Sequence, residues 1–169
     1  MFPPPKATRC SNGDWDKAEK ILGFNFPDDY KEFISAYGSG SLQSFLHIWN
    51  YLDSPSDADV TSAIPKIESE YQYDKDHGYQ IDFVPYPQPG CFIPFCSTDD
   101  GNYLNWRTLG KPNQWPVVAY DSASGQLVCA EGVNMVHCIL LLVKKQNPFG
   151  DKFCNVDIFR ALVVYKPLE

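Results

Sequence analysis

The sequence lacks any long hydrophobic run. Its longest apolar stretch extends from Cys138 to Val143, whereas a helix that spans a bilayer needs about 20 mostly apolar residues. The N-terminal Met-Phe-Pro-Pro-Pro-Lys has no basic segment followed by an apolar one, which is the pattern of a secretory signal. We therefore expect a cytoplasmic protein that does not act at membranes.

Basic residues are also scarce. The 169 residues include 14 Lys+Arg against 21 Asp+Glu, which gives a formal net charge of −7. Phosphate backbones repel such a chain, and no basic stripe offsets the excess, so we expect no nucleic-acid partner. Residues 41–110 alone carry 3 basic and 10 acidic side chains. The negative charge is therefore concentrated in the middle of the chain.

Sequence motifs of enzymes and metal sites are missing as well. The 6 cysteines include no C-x-x-C pair, and we expect their thiols to be reduced. Phosphate-loop, dinucleotide-glycine and zinc-deaminase signatures are absent. His137 and Cys138 are neighbours, but neighbours on a helix point about 100° apart and cannot act on each other. We predict no catalytic residue, no metal and no cofactor, and a small hydrolase is the least favoured alternative.

The length and composition of the chain indicate one domain. A chain of 169 residues with 44% hydrophobic residues can bury a core of its own without disulfides or metals. Pro3 to Pro5 and the Ser-Asn-Gly at 11–13 predict a loose leader over residues 1–13. We expect the single domain to cover residues 14–169.

Two helices are predicted near the N-terminus. Asp14 is a suitable N-cap for the first helix, and Gly23 is suited to end it. The apolar face of this helix is formed by Trp15, Ala18, Ile21 and Leu22. Pro27 begins the second, and Gly38 ends it; its buried face is formed by Tyr30, Phe33, Ile34 and Tyr37. Both patterns have the spacing of an amphipathic helix.

The rest of the chain predicts a mainly antiparallel sheet with further helices. We predict a strand from Leu42 to Trp49 and a helix from Val60 to Asp76, the latter weakened by Pro65. Short β-rich runs then follow at 92–95, 103–106, 115–120 and 127–130, separated by the turn signals Asp100-Gly101 and Ser124-Gly125. A last helix at 134–145 and an edge strand within 157–167 complete the pattern. The fold class is α+β, with helices packed on a hairpin-built sheet.

Two blocks of this sequence resemble the SUKH superfamily, which includes a fungal cell-wall synthesis regulator and many bacterial immunity proteins. The first block is GFNFPDDYKEFISAYGSG at 23–40. The second block extends from Ile93 through Asp99 to Trp106 and Trp115. The resemblance extends over about residues 15–145. Its motif positions in this chain are Gly23, Pro27, Tyr30, Phe33, Gly38, Pro94, Asp100, Gly101, Trp106 and Trp115. Asn102 departs from the pattern, because relatives commonly have an acidic residue there.

The resemblance implies a protein that acts without catalysis, by binding and blocking a cognate toxin such as a nuclease or a deaminase. The acidic middle of the chain fits this role, since a basic toxin surface attracts an acidic partner. The predicted partner-binding residues are Trp49, Tyr51, Asp53, Asp57, Asp59, Glu68, Glu70, Tyr71, Tyr73, Asp74 and Asp76. Two alternatives stay open: this segment is a solvated acidic loop with a few packed tyrosines, or the protein is an intracellular scaffold or regulator.

Overall fold

The computed structural model describes residues 3–6, 8, 11–52, 60–151, 153–159 and 164–168, and for residues 60–63 it describes the backbone only. The helices are α1 Trp15–Leu22, α2 Asp28–Tyr37, α3 Val60–Asp76 and α4 Met135–Val143. The strands are β1 Gly40–Leu42, β2 Leu46–Ile48, β3 Phe92–Thr98, β4 Tyr103–Arg107, β5 Val117–Asp121, β6 Gln126–Ala130 and β7 Tyr165–Pro167.

The seven strands form one antiparallel sheet in the order β6-β5-β4-β3-β2-β1-β7. The first six strands are a meander, in which each strand pairs with the next along the chain. The last strand, β7, returns to pair with β1. Gly40 is required at this contact, because a Cβ there would lie 2.4 Å from the carbonyl oxygen of Lys166. The predicted α+β class is confirmed.

The first two helices have the predicted boundaries, except that α2 begins at Asp28 and not at Pro27. The side chain of Asp14 accepts a hydrogen bond from the Lys17 amide at 2.9 Å, and Gly23 ends α1 with a φ of 73°. Pro27 is the residue just before α2, and Gly38 follows its last turn. One prediction for α1 is wrong: Ile21 is 62% exposed and does not share the buried face.

The predicted strand from Leu42 to Trp49 is two strands joined by a turn. Gln43 and Ser44 have φ values of 55° and 56°, and the Phe45 amide donates back to the Leu42 carbonyl at 3.0 Å. No glycine marks this turn, so the sequence shows only a poorly alternating β-rich run. The helix predicted at 60–76 is confirmed, and Pro65 lies inside it without breaking it.

The core forms two clusters on opposite faces of the sheet, because successive strand residues point to opposite sides. Ile64, near the start of α3, belongs to the larger cluster. On one face, Ile93 and Val117 pack with residues of α1, α2 and α4. On the other face, Phe92 and Val118 pack with Ile67 of α3. Helix α3 therefore lies on the side of the sheet opposite the other three helices.

The SUKH-like motif residues hold the larger core together. Tyr30 and Trp106 are fully buried, with ring centroids 4.9 Å apart. The Tyr30 hydroxyl donates to the Trp49 carbonyl at 2.7 Å and accepts from the Tyr51 amide at 3.0 Å. These bonds fix α2 against the chain that leaves β2.

Candidate partner-binding surfaces

Two of the aromatic residues predicted to contact a partner are core residues. Tyr51 is 7% exposed and Tyr71 is 1% exposed. The Tyr51 hydroxyl donates to the Pro94 carbonyl at 2.7 Å, and the Tyr71 hydroxyl donates to the Asn105 side chain at 3.2 Å. Tyr51 belongs to the larger core and Tyr71 to the core under α3, so neither ring is exposed for contact with a partner.

Trp49 occupies an intermediate position. It is half-buried beside the α3 core, and its indole Nε1 donates to Ser97 Oγ at 3.1 Å. Asp53, Asp57 and Asp59 lie outside the residues that the structure describes. Within the described residues, the predicted surface is therefore formed by α3 and by the strands beneath it.

The carboxylates of α3 bind groups of the sheet and of the loop that follows α3. Glu68 accepts a hydrogen bond from the Tyr86 amide, and Asp74 accepts one from the Tyr120 hydroxyl. Glu70 is hydrogen-bonded to Tyr103. Burial, and then the nearby Glu70, raise the pKa of Tyr103 to about 12. The hydroxyl therefore stays protonated near neutral pH and donates to the carboxylate.

Beside these bonds an open cleft is accessible to a partner, and we call it the Tyr73 cleft. It has a volume of about 440 Å³ and is lined by Ser69, Glu70, Tyr73, Asp74, Tyr120 and Ser122. Tyr73 is 62% exposed, and its ring stacks on His77 at a centroid distance of 3.9 Å. Asp76, one turn away, is exposed and accepts a hydrogen bond from Gln72 at 2.7 Å.

The Tyr73 cleft has carboxylates but no matching cation within the described ranges. The ion pairs between described residues involve carboxylates outside the cleft, and neither Lys66 nor Lys75 forms an ion pair among them. The ammonium group of Lys75 lies 5.7 Å from the centroid of the Phe83 ring instead. The cleft therefore has negative charge that an external partner can neutralise.

A second concave surface lies on the opposite side of the sheet, and the sequence pattern did not indicate it. We call it the α2–α4 groove; its volume is about 560 Å³, and it is lined by Asp29, Glu32, Phe33, Ala36, Tyr37, Asn134, Val136, His137 and Leu140. The half-buried Asp29 accepts a hydrogen bond from the Val136 amide at 3.0 Å. Burial, opposed by backbone hydrogen bonds, raises the pKa of Asp29.

The carboxylates near the β3–β4 turn and the neighbouring His137 and Cys138 do not form a catalytic or metal-binding group. Asp100 and Gly101 form the β3–β4 turn, where Gly101 has a φ of 79°. Asp99 points to His47, with Oδ1 2.6 Å from Nε2. Cys138 is buried while His137 is exposed, so the two side chains face different surroundings. Across the described residues, no group of three His, Cys, Asp or Glu side chains is placed to hold a metal ion.

Asn102, which departs from the SUKH pattern, has a role that a carboxylate would not fill. Its buried amide group donates to the Phe153 carbonyl, while its Oδ1 accepts from the Ser122 amide and hydroxyl at 2.8 Å each. An ionised aspartate has no N–H to donate. The amide therefore ties the β3–β4 turn to the segment after α4.

None of the helices in the described ranges is both long enough and apolar enough to cross a bilayer.

Two short helices, an antiparallel meander and buried aromatic motif residues define a SUKH-type domain. The family model SUKH_6, described as SMI1-KNR4 cell-wall, matches residues 12–128. The chain belongs to this family, and with it to the SUKH superfamily, whose members are mostly non-catalytic immunity or regulatory domains. No curated protein and no solved structure matched the chain.

Proposed function

We propose that this chain is a non-catalytic, cytoplasmic immunity protein that binds and neutralises a cognate toxin, a nuclease or a deaminase. The contact surface is the Tyr73 cleft together with the exposed Asp76. Membership of the SUKH superfamily supports the immunity role. The proposed location of the contact surface is supported by one observation: the α3 carboxylates have no cationic partner among the described residues.

The chemistry of the cleft suits a cationic protein surface. Nucleases and deaminases that act on nucleic acid use basic residues to hold phosphates. Carboxylates opposite such residues accelerate association and cover the substrate site. Tyr73 adds an exposed aromatic ring, the type of residue that carries much of the binding energy at protein interfaces.

A second function is favoured by the family match itself, which is to the SMI1-KNR4 cell-wall family. In this alternative the protein is an intracellular scaffold or regulator, and the same surface binds an endogenous partner. The two functions differ in the partner and not in the binding chemistry. Only the identity of the bound protein separates them.

The first experiment isolates the native complex with the tagged full-length chain and identifies the protein that co-elutes. We expect a protein with a basic surface whose toxicity in a test cell is suppressed by co-expression of this chain. A non-toxic endogenous partner would replace the immunity role by the regulatory one. A purified chain that alone cleaves or deaminates nucleic acid would contradict both.

The second experiment tests the surface by charge reversal. Asp76→Lys combined with Tyr73→Ala is expected to weaken the complex on the order of tenfold, mainly through slower association that depends on salt concentration. Asp16→Lys, an equal charge change on the exposed side of α1, is the matched control. Equal affinities for the wild type and the α3 variant would remove the Tyr73 cleft from the interface.

A further inference from the structure

The α2–α4 groove combines an apolar floor with an acidic rim. Phe33 and Tyr37 are buried at its base, and Val136 and Leu140 of α4 are half-buried at its side. Asp29 and Glu32 stand on the α2 rim, one turn apart on the helix. A long side chain with a positive end and an apolar stem matches this arrangement.

The two rim carboxylates have no ion-pair partner in the part of the chain that the structure describes. The nearest lysine in sequence, Lys31, pairs with Glu19 of α1 instead. Burial and the neighbouring Glu32 both disfavour the ionised form of Asp29, whose pKa is raised. A cation placed between the two carboxylates would offset that cost.

We propose that the α2–α4 groove binds a lysine or arginine side chain of a partner protein, with an adjacent apolar side chain of the same segment packed on Val136 and Leu140. The proposal rests on the protein-binding role inferred above, but not on the Tyr73 cleft, which lies on the other side of the sheet. Helix α4 lies outside residues 12–128, so half of the groove lies beyond the family match.

The charge of the groove selects its occupant. A phosphate or an acidic peptide would face two carboxylates, and a second copy of this chain would add another net charge of −7 to the first. A basic segment gains from the carboxylates, and its apolar neighbour gains from the half-buried α4 side chains. We therefore commit to a basic segment and treat self-association as an outcome of the test.

The experiment titrates the 15N-labelled full-length chain with the peptide acetyl-Leu-Arg-Leu-amide and follows backbone amide resonances. The Val136 amide is the main reporter, because it donates directly to the Asp29 carboxylate. The control peptide has neutral citrulline in place of arginine. Saturable shifts at Val136 and Glu32 are expected with the arginine peptide, and roughly fivefold weaker binding with the citrulline peptide.

The variant Asp29→Asn with Glu32→Gln tests the carboxylates, because the Asn retains an oxygen that can accept from Val136. We expect it to bind the arginine peptide as weakly as the wild type binds the citrulline peptide. Asp16→Asn with Asp151→Asn, which also removes two negative charges but at exposed positions outside both surfaces, is the matched control and is expected to bind like the wild type.

Three results would overturn the proposal: equal binding of the two peptides, shifts confined to α3 amides such as that of Tyr73, or concentration-dependent dimerisation that covers the groove. None of these would change the dependence of the native complex on Asp76 and Tyr73. Failure of the groove is therefore distinguishable from failure of the proposed function.

Discussion

On one face of the sheet the rings of Trp106, Tyr30 and Phe26 pack mainly on one another, whereas on the other face the tyrosines under α3 are bonded to polar side chains. The Tyr30 and Trp106 centroids are 4.9 Å apart, and those of Phe26 and Tyr30 are 5.3 Å apart. Under α3, Tyr71 bonds to Asn105 and Tyr120 to Asp74. The tyrosine hydroxyls of the first face donate to backbone carbonyls, as Tyr30 and Tyr51 do, whereas those under α3 depend on matched side-chain acceptors.

This difference explains how an acidic helix can lie on a sheet. Each tyrosine contributes an apolar ring to the core and a hydroxyl to its edge. Glu70 and Asp74 accept those hydroxyls, so the flank of α3 is held by the same carboxylates that give the surface its charge. Substitutions on the two faces should therefore have effects of different size and kind.

The largest effect is expected for Trp106→Ala. Removing this 1% exposed ring leaves a cavity among the aromatic residues of the larger core, and we expect the free energy of unfolding to fall by about 3 to 5 kcal/mol. Urea unfolding measures the change. Trp106→Phe is the control and should lose much less, since the indole Nε1 has no hydrogen-bond partner within the described residues. Equal losses for the two variants would contradict a packing role.

On the α3 face, Asn105→Ala should have the next largest effect. Asn105 is fully buried, and its Oδ1 accepts from the Tyr71 hydroxyl at 3.2 Å. Its removal leaves that hydroxyl buried without its acceptor, which costs about 1 to 3 kcal/mol. The double variant Asn105→Ala with Tyr71→Phe should regain part of this loss, because no unpaired hydroxyl remains. Strictly additive losses would show that the bond contributes nothing.

Much of the fold is predictable from local chemistry in the sequence. Asp14, Gly23 and Pro27 mark helix boundaries that depend only on residues a few positions away, and the structure has them there. The turn at Gln43 and Ser44 is not predictable in this way, because its positive φ values occur without a glycine. Pairing of the short strands on either side supports that turn.

The candidate surfaces are less predictable because they depend on contacts between distant segments. The sequence shows aromatic and acidic residues interleaved between Trp49 and Asp76, but not which tyrosines are buried. Tyr51 and Tyr71 become core residues through partners on β3 and β4. Asp29 and Val136 are 107 positions apart, so nothing local relates them. From the sequence alone, Asp29 is recognisable only as an acidic residue in the first turn of α2, where it complements the helix dipole.

A smaller effect is expected at the bond between Asp74 and Tyr120. Asp74→Ala should lower the free energy of unfolding by about 0.5 to 1.5 kcal/mol, since the Tyr120 hydroxyl loses its acceptor. A cycle with Tyr120→Phe isolates the coupling between the two side chains. Asp76→Ala, which removes a carboxylate from the exposed side of the same helix, is the control. A coupling of zero would mean that Asp74 serves only the surface charge.

The smallest effect concerns the pH dependence of stability at Asp29. Burial raises the folded-state pKa of Asp29 above its ordinary value of 3.8, so the folded state binds the proton more tightly than the unfolded state. As pH falls from the folded-state pKa towards 3.8, the wild type therefore gains stability relative to Asp29→Asn. Near neutral pH the wild type should be less stable than Asp29→Asn, by less than about 1 kcal/mol for a carboxylate near the surface. This difference in the free energy of unfolding should shrink on acidification. Urea unfolding between pH 7 and pH 4 measures it, with Asp16→Asn as the control for loss of a negative charge. A wild type that instead loses stability relative to Asp29→Asn on acidification would mean that the backbone hydrogen bonds of Asp29 stabilise its ionised form more than burial disfavours it.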